Sequence, residues 1–300
     1  MIYNIFVIGE LDRSQLAAAL ASLTSVPLDA VDVADADDSD NRNWDAAVSC
    51  TYNRVEGDVT WLLDLYLTEA VSAQPTEPQV AAHLAEQLGT AVLYPAAVAL
   101  PSAYWLTAPG GLRTRARLYS FDEDDDRTVY RIDAVEQPVP SLPTVPVALQ
   151  PEVIREYQVP TPITDGLCAW LTQWQATAAA EAEEAVWYAR TRLGAWESLT
   201  VRMACGWPPD GWYPAEFYQE DLEIRDELAV AVELLPVAVK ERFAIALTRL
   251  DKDFSAATGE HDDAQLSAMF GVGKVDLALR SWWWRRLPKS ALWRPTAQYS

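Results

Sequence analysis

Side chains suited to proton transfer, nucleophilic attack or metal binding are few and scattered. The chain of 300 residues holds two histidines, His83 and His261, and three cysteines, Cys50, Cys168 and Cys205. His83 stands one position before Leu84, an inward residue of an expected helix, and reads as a boundary residue rather than a base. His261 lies in "GEHDD", where the acids suit a helix start better than a His–Asp relay. No Cys or His pair has zinc spacing, and neither the G-x-S-x-G elbow nor a catalytic-cysteine signature occurs. "GVGK" at Gly271–Lys274 lacks the upstream glycine, the Ser/Thr after lysine and the preceding strand of a phosphate loop. "VIGELDR" has one glycine where the dinucleotide fingerprint needs three. No catalytic residue, metal or cofactor is therefore expected.

Carboxylates are the exception. From Asp35, "DADDSDNRNWDA" places Asp37, Ser39 and Asn41 at alternate positions, like a calcium loop. However, Asp40 stands where that loop needs glycine, and Ala46 where it needs a bidentate Glu. Asp64 interrupts "WLLDLYL" between Leu62 and Tyr66 and is the possible functional carboxylate. Were its face covered, an unpaired buried charge would be very costly, and Arg115 or Arg117 would be the natural partner. The alternative is a solvent-facing position.

Charge is the strongest global signal: 23 cations against 44 acids leave −21. Residues 1–150 hold 8 Arg, no Lys and 22 acids, a balance of −14; residues 151–300 hold 15 cations and 22 acids, a balance of −7. Such a field repels nucleic acid and anionic membranes and steers basic partners inward. The clustered acids Asp35, Asp37, Asp38 and Asp40, and Asp122, Glu123, Asp124, Asp125 and Asp126, are the expected contacts for a basic partner.

One segment has the opposite sign. "SWWWRRLPKSALW" begins at Ser281, and six cations face one acid between Lys274 and Arg294. Trp282, Trp283, Arg285 and Arg286 form a second possible contact surface. On a helix, three consecutive tryptophans fan over roughly 200°, so at least one must pack inward. The segment reads mostly as a lid over a core.

Apolar periodicity supplies the elements that position these groups. In the first half, "YNIFVIG" reads as a strand. Asp12 with Gln15 reads as a helix start leading to Leu16, Leu20 and Leu23. "AAVSCTYN" and "VTWLLDLYL" form a hairpin about "RVEGD". Thr76 and Gln79 open a second helix that closes at Gly89. Strands "AVLYP", "AYWLTA", "RTRARLYSF" and "TVYRIDAV" follow. Beyond a proline-rich stretch the period becomes helical, with Leu167, Trp170, Leu171 and Trp174 as the first example.

The expected class is α+β. Residues 1–137 form a mostly antiparallel sheet with helices on one face, a ferredoxin-like core with extra strands. Residues 138–162 are a semi-rigid connector, and 163–300 a helical bundle ending in a Trp/Arg-rich helix, with "TGEHDD" as a loop. The apolar runs fall short of the roughly 20 residues that span a bilayer. The start reads as a strand rather than a signal peptide, and three widely spaced cysteines suit a cytoplasmic protein. The residues reproduce no known motif set. They fit an acidic interaction protein that binds and neutralises a basic protein, such as a toxin or nuclease, in the manner of an inhibitor or immunity protein. The alternatives are an enzyme using carboxylates such as Asp64 in an inter-domain cleft, or a homodimeric scaffold.

Overall fold

The computed structural model describes residues 1–37, 42–72, 74–96, 100–122, 128–175, 183–271, 277 and 279–290. Asp38, Asp40 and Glu123 to Asp126 lie outside the described residues. The chain divides into two compact units, Met1–Glu156 and Tyr157–Ser300.

Among the described residues, unit 1 is built on nine strands and two principal helices. The first part runs β1 (Ile2–Val7), α1 (Arg13–Thr24), β2 (Val31–Asp35), β3 (Val48–Arg54), β4 (Glu56–Gly57) and β5 (Trp61–Leu67). The second runs α2 (Glu77–Leu88), β6 (Val92–Pro95), β7 (Ala103–Thr107), β8 (Arg113–Asp122) and β9 (Thr128–Val135). A short helix, α3 (Pro151–Glu156), closes the unit. The helix signals hold: Asp12 accepts from the Gln15 N–H at 2.8 Å, and Gln79 reaches back to the Thr76 N–H at 2.8 Å.

The sheet order is β2-β3-β5-β1-β6-β7-β8-β9-β4. Strand β1 lies antiparallel between β5 and β6, and β5 pairs antiparallel with β3. The connection through α2 skips one strand, β1, whereas α1 carries the chain past β5 and β3 to the outer strand β2 before it returns as β3. With β2 set aside as an insertion, β6-β1-β5-β3 has the order of two interlocked split β-α-β units. This is the ferredoxin-like core with additions. Strand β2 extends it in parallel outside β3, while β7, β8 and β9 extend the other side as antiparallel strands.

Two cores fill the two faces. On one, Leu16 and Leu20 of α1 and Val80 and Leu84 of α2 pack onto Ile5, Val7, Cys50, Leu63 and Leu65. His83 joins these helices, its Nε2 lying 3.0 Å from the Ala19 carbonyl. On the other, Phe6, Val59, Leu93, Leu106, Leu118 and Ile132 form a second core. The sheet curls around it until β4, in the turn between β3 and β5, pairs with β9 at the far end. The Asp58 N–H donates to the Tyr130 carbonyl at 2.8 Å, and its carboxylate accepts from the Ile132 N–H at 2.8 Å. The proline-rich residues after β9 lie against this core: Val139 is buried in it, and Leu142 and Val145 pack on it.

Unit 2 comprises α4 (Pro162–Gln175), α5 (Glu183–Ala204), α6 (Ala215–Glu233), α7 (Val237–Ala257) and α8 (Asp263–Phe270). Leu193, Trp196, Leu222, Leu228, Phe243, Leu250 and Phe254 are buried among these helices. Two expectations are corrected. The "TGEHDD" segment is not wholly a loop, because Thr258–Glu260 forms β10. The tryptophan run is not α-helical: Trp282–Arg285 is one 3₁₀ turn, and Arg286–Pro288 forms β11, antiparallel to β10. Arg286 explains the pairing. Its guanidinium donates to the Ser255 and Thr258 carbonyls at 3.0 and 3.1 Å, satisfying acceptors that the end of α7 leaves open.

Among the described residues no helix is long and apolar enough to cross a membrane.

Candidate functional site

Strand alternation fixes which side chains leave the curled sheet. In β5, Leu63, Leu65 and Leu67 turn toward the helices, so Asp64 and Tyr66 must point the opposite way. There Asp64 stands between Asn4 of β1 and Thr51 of β3, and Tyr66 stands between Ile2 and Ser49. Ile2, Asn4, Asp64 and Tyr66 are all exposed. The second core covers this face only toward the Phe6 end, leaving these two rows open.

One side of the open rows is held by a buried ion pair. Arg42 bonds Asp32 through Nε, and both side chains are less than a tenth exposed. The same guanidinium donates to Ser49 Oγ at 2.7 Å and Thr51 Oγ1 at 3.1 Å. Since a guanidinium has a rigid, planar fork of donors, these bonds fix where the chain around it runs. Trp44 is consequently displayed at 77% exposure, with Arg42 lying 5.2 Å from its ring centroid.

Asp64 is therefore a carboxylate on an open, shallow surface beside Ile2 and Tyr66, with Trp44 against the Arg42 that bonds Thr51. That surface suits a guanidinium or ammonium group, whose charge meets the carboxylate while its stem covers apolar atoms. The proposed partners of Asp64 lie elsewhere. Arg115 and Arg117 are on β8, four strands away in the sheet. Arg115 lies over the Trp105 ring at 3.8 Å, and Arg117 bonds Glu152 and Asp133.

The charge of Asp64 also reaches through the sheet. Burial, followed by the nearby Asp64 carboxylate, pushes the Cys50 thiol up to about 12.

The described members of the acidic runs end different strands. Asp35 ends β2 with Asp37 just beyond it, whereas Asp122 ends β8. Along the sheet six inter-strand steps separate β2 from β8, while the closure through β4 sets Glu56, in the turn after β3, opposite Val129, beside the Asp122–Thr128 pair. All three described acids are at least partly exposed.

The tryptophan segment is mostly internal to unit 2. Trp283 and Trp284 are buried, and their indole N–H groups donate to the two oxygens of Asp226 at 3.0 and 2.9 Å. Arg225 stacks 4.3 Å from Trp283 and pairs with Asp251 at 2.8 Å, and Asp251 also accepts from Trp196 Nε1. With Arg286 capping α7, only Trp282 and Arg285 of the predicted contact residues are exposed.

Sequence reasoning singled out Asp64 but missed Ile2 beside it and Trp44 against Arg42. Period-two alternation already set Tyr66 on the face of Asp64, and hairpin register would have added Thr51. The display of Trp44 carried no such signal, since it depends on the Arg42–Asp32 bond.

Comparison of the chain with protein-family models, curated proteins and solved structures finds no match.

Proposed function

We propose that this protein binds and neutralises a basic protein partner, as inhibitors and immunity proteins do, and that the open sheet face around Asp64 makes the contact. The single observation that carries this reading is an exposed carboxylate beside Ile2 and Tyr66, with exposed Trp44 against the Arg42 that bonds neighbouring Thr51, on the more acidic half of the chain. Two features support it. Arg42 and Arg117 are matched internally to carboxylates, and a matched pair leaves the surplus of −14 over residues 1–150 undiminished at the surface. A buried Arg115, stacked on Trp105, removes another cation from that surface. Opposed fields then raise the encounter rate, while apolar contacts at the centre of the face prolong the complex.

The test starts with affinity capture from the native host at low salt, followed by kinetics with the purified captured protein. Asp64→Lys should weaken the complex at least about tenfold, roughly the effect of one close charge pair. Raising salt from about 0.05 to about 0.5 M should slow association, because the screening length shortens several-fold. An uncharged or acidic captured protein, or a basic one indifferent to both Asp64→Lys and Tyr66→Ala, would refute the assignment.

A further inference from the structure

A surface groove of unit 2 lies between α5 and α6, lined by a second stripe of each helix besides the one it buries. The buried stripe of α5 is Val186, Ala189, Leu193 and Trp196, and that of α6 is Leu222, Arg225, Leu228 and Val232. Beside it each helix carries a second, partly exposed stripe. On α5 it is Ala185, Tyr188, Arg192 and Ala195; on α6 it is Ile224 and Glu227, with Ala231 buried behind them and Leu234 exposed just past the helix. Both step by threes and fours, the spacing with which a helix presents side chains to a neighbouring helix.

The helices run antiparallel here, with Glu184 and Tyr188 beside Leu234 and Glu227, and Ala195 beside Glu220. Two depressions of about 520 and 310 Å³ share Glu227 in their linings and together mark out a trough along the two helices. From Glu184 to Ala195 it extends about 17 Å, or three helical turns. Its waist is pre-set: Glu227 accepts from the Tyr188 hydroxyl and from Arg192 Nε, both at 3.0 Å, while Arg192 stacks 3.7 Å from the Tyr188 ring. Val230 and Leu234 stand at one end, 66% and 74% exposed.

We infer that this trough receives a basic amphipathic helix of a protein partner. The dimensions and the double stripe call for a helix. Charge selects which helix: four carboxylates line the trough, at Glu184, Glu220, Glu223 and Glu227, against the single cation Arg192. A helix with leucines inward and lysines or arginines flanking them meets apolar floor and acidic rim together. A second copy of this chain would oppose one carboxylate row to another, which disfavours self-association. The inference stands whether or not the sheet face of unit 1 binds anything.

The probes are two labelled synthetic peptides of about 21 residues, three heptads with Leu at a and d. One carries Lys at the flanking e and g positions and the other carries Glu. With the full chain, fluorescence anisotropy should report binding of the Lys peptide only, and its helicity should rise on binding. The double variant Val230→Glu, Leu234→Glu should raise Kd at least about tenfold, a loss of about 1.4 kcal/mol. Asp64→Lys should leave Kd unchanged within twofold, which separates this trough from the unit 1 face. Both substituted side chains are exposed, and an unchanged thermal midpoint verifies that the variant folds. A photo-crosslinker at one peptide leucine should tag α5 or α6 without any variant of the chain. Equal binding of both peptides, binding of neither, Lys-peptide binding indifferent to the double variant, or crosslinks confined to unit 1 would each overturn the inference. So would a dimer in sedimentation velocity that the double variant dissolves.

Discussion

Cys50 sits on the helix side of β3, wholly buried, with Asp64 projecting from the opposite side of the adjacent strand. Burial and the carboxylate both disfavour the thiolate, raising the pKa from its ordinary value of 9.0 to about 12. The sign of the linkage follows. The folded state holds this proton more tightly, so the stability it supports is complete below pH 9 and is lost as pH rises toward 12. Buried Tyr218, raised well above 10 chiefly by burial, acts in the same direction. We predict that denaturant midpoints fall steadily above pH 9 and that Cys50→Ala flattens the fall. A midpoint flat to pH 11 would contradict this. Iodoacetamide at pH 8 should alkylate exposed Cys205 in the native protein and leave Cys50 untouched, as intact mass and peptide mapping would read. At this scale much was legible, because alternation along "WLLDLYL" already put Asp64 on the face opposite the leucines. The covering of that face was not legible, since it depends on how far the curled sheet reaches.

At the scale of elements, the curl depends on a two-residue strand. Gly57 in β4 has φ +107°, and a Cβ there would lie 2.0 Å from the Tyr130 carbonyl oxygen. A neighbouring backbone cannot retreat from such a clash as a flexible side chain would. Gly57→Ala should therefore part β4 from β9 and cost about 2–4 kcal/mol, through the clash and the left-handed backbone together. Urea denaturation measures it, and a loss below about 1 kcal/mol would mean that the closure is not needed for stability. In unit 2, Arg286 plays the comparable part: Arg286→Ala removes its bonds to the end of α7 and to Thr258 Oγ1, at an expected cost of about 1–3 kcal/mol. Lysine in its place should recover little, because one ammonium cannot reproduce a planar fork of donors. The eight longer strands of unit 1 and the long helices are readable from period. Strands β4, β10 and β11 are not, because two or three residues contain no measurable period. The tryptophan run misled for a related reason. Its 3₁₀ turn is held by Asp226, more than fifty residues earlier, and nothing local to Ser281–Arg286 reveals that partner.

For the whole molecule, a charge of −21 acts on folding and on association with opposite consequences. Exposed carboxylates repel one another in the compact state, and added salt screens that repulsion. The close ion pairs Arg42–Asp32 and Arg225–Asp251 are shielded by burial and lose less to the same salt. Stability should therefore rise with ionic strength, while capture of a basic partner should weaken. We predict a thermal midpoint several degrees higher at about 0.5 M than at about 0.05 M NaCl, together with slower association over the same range. Total charge was legible from composition, but its arrangement was not, since it depends on the pairing of Glu56 with Val129, beside Asp122 and Thr128, which no period announces. The place of each charge has its own consequence. Reversing Asp122 to Lys should change the association rate slightly through the overall field, whereas Asp64→Lys should mainly raise the dissociation rate. If the two reversals alter both rate constants equally, the partner senses only net charge, and the sheet face has no privileged place in binding.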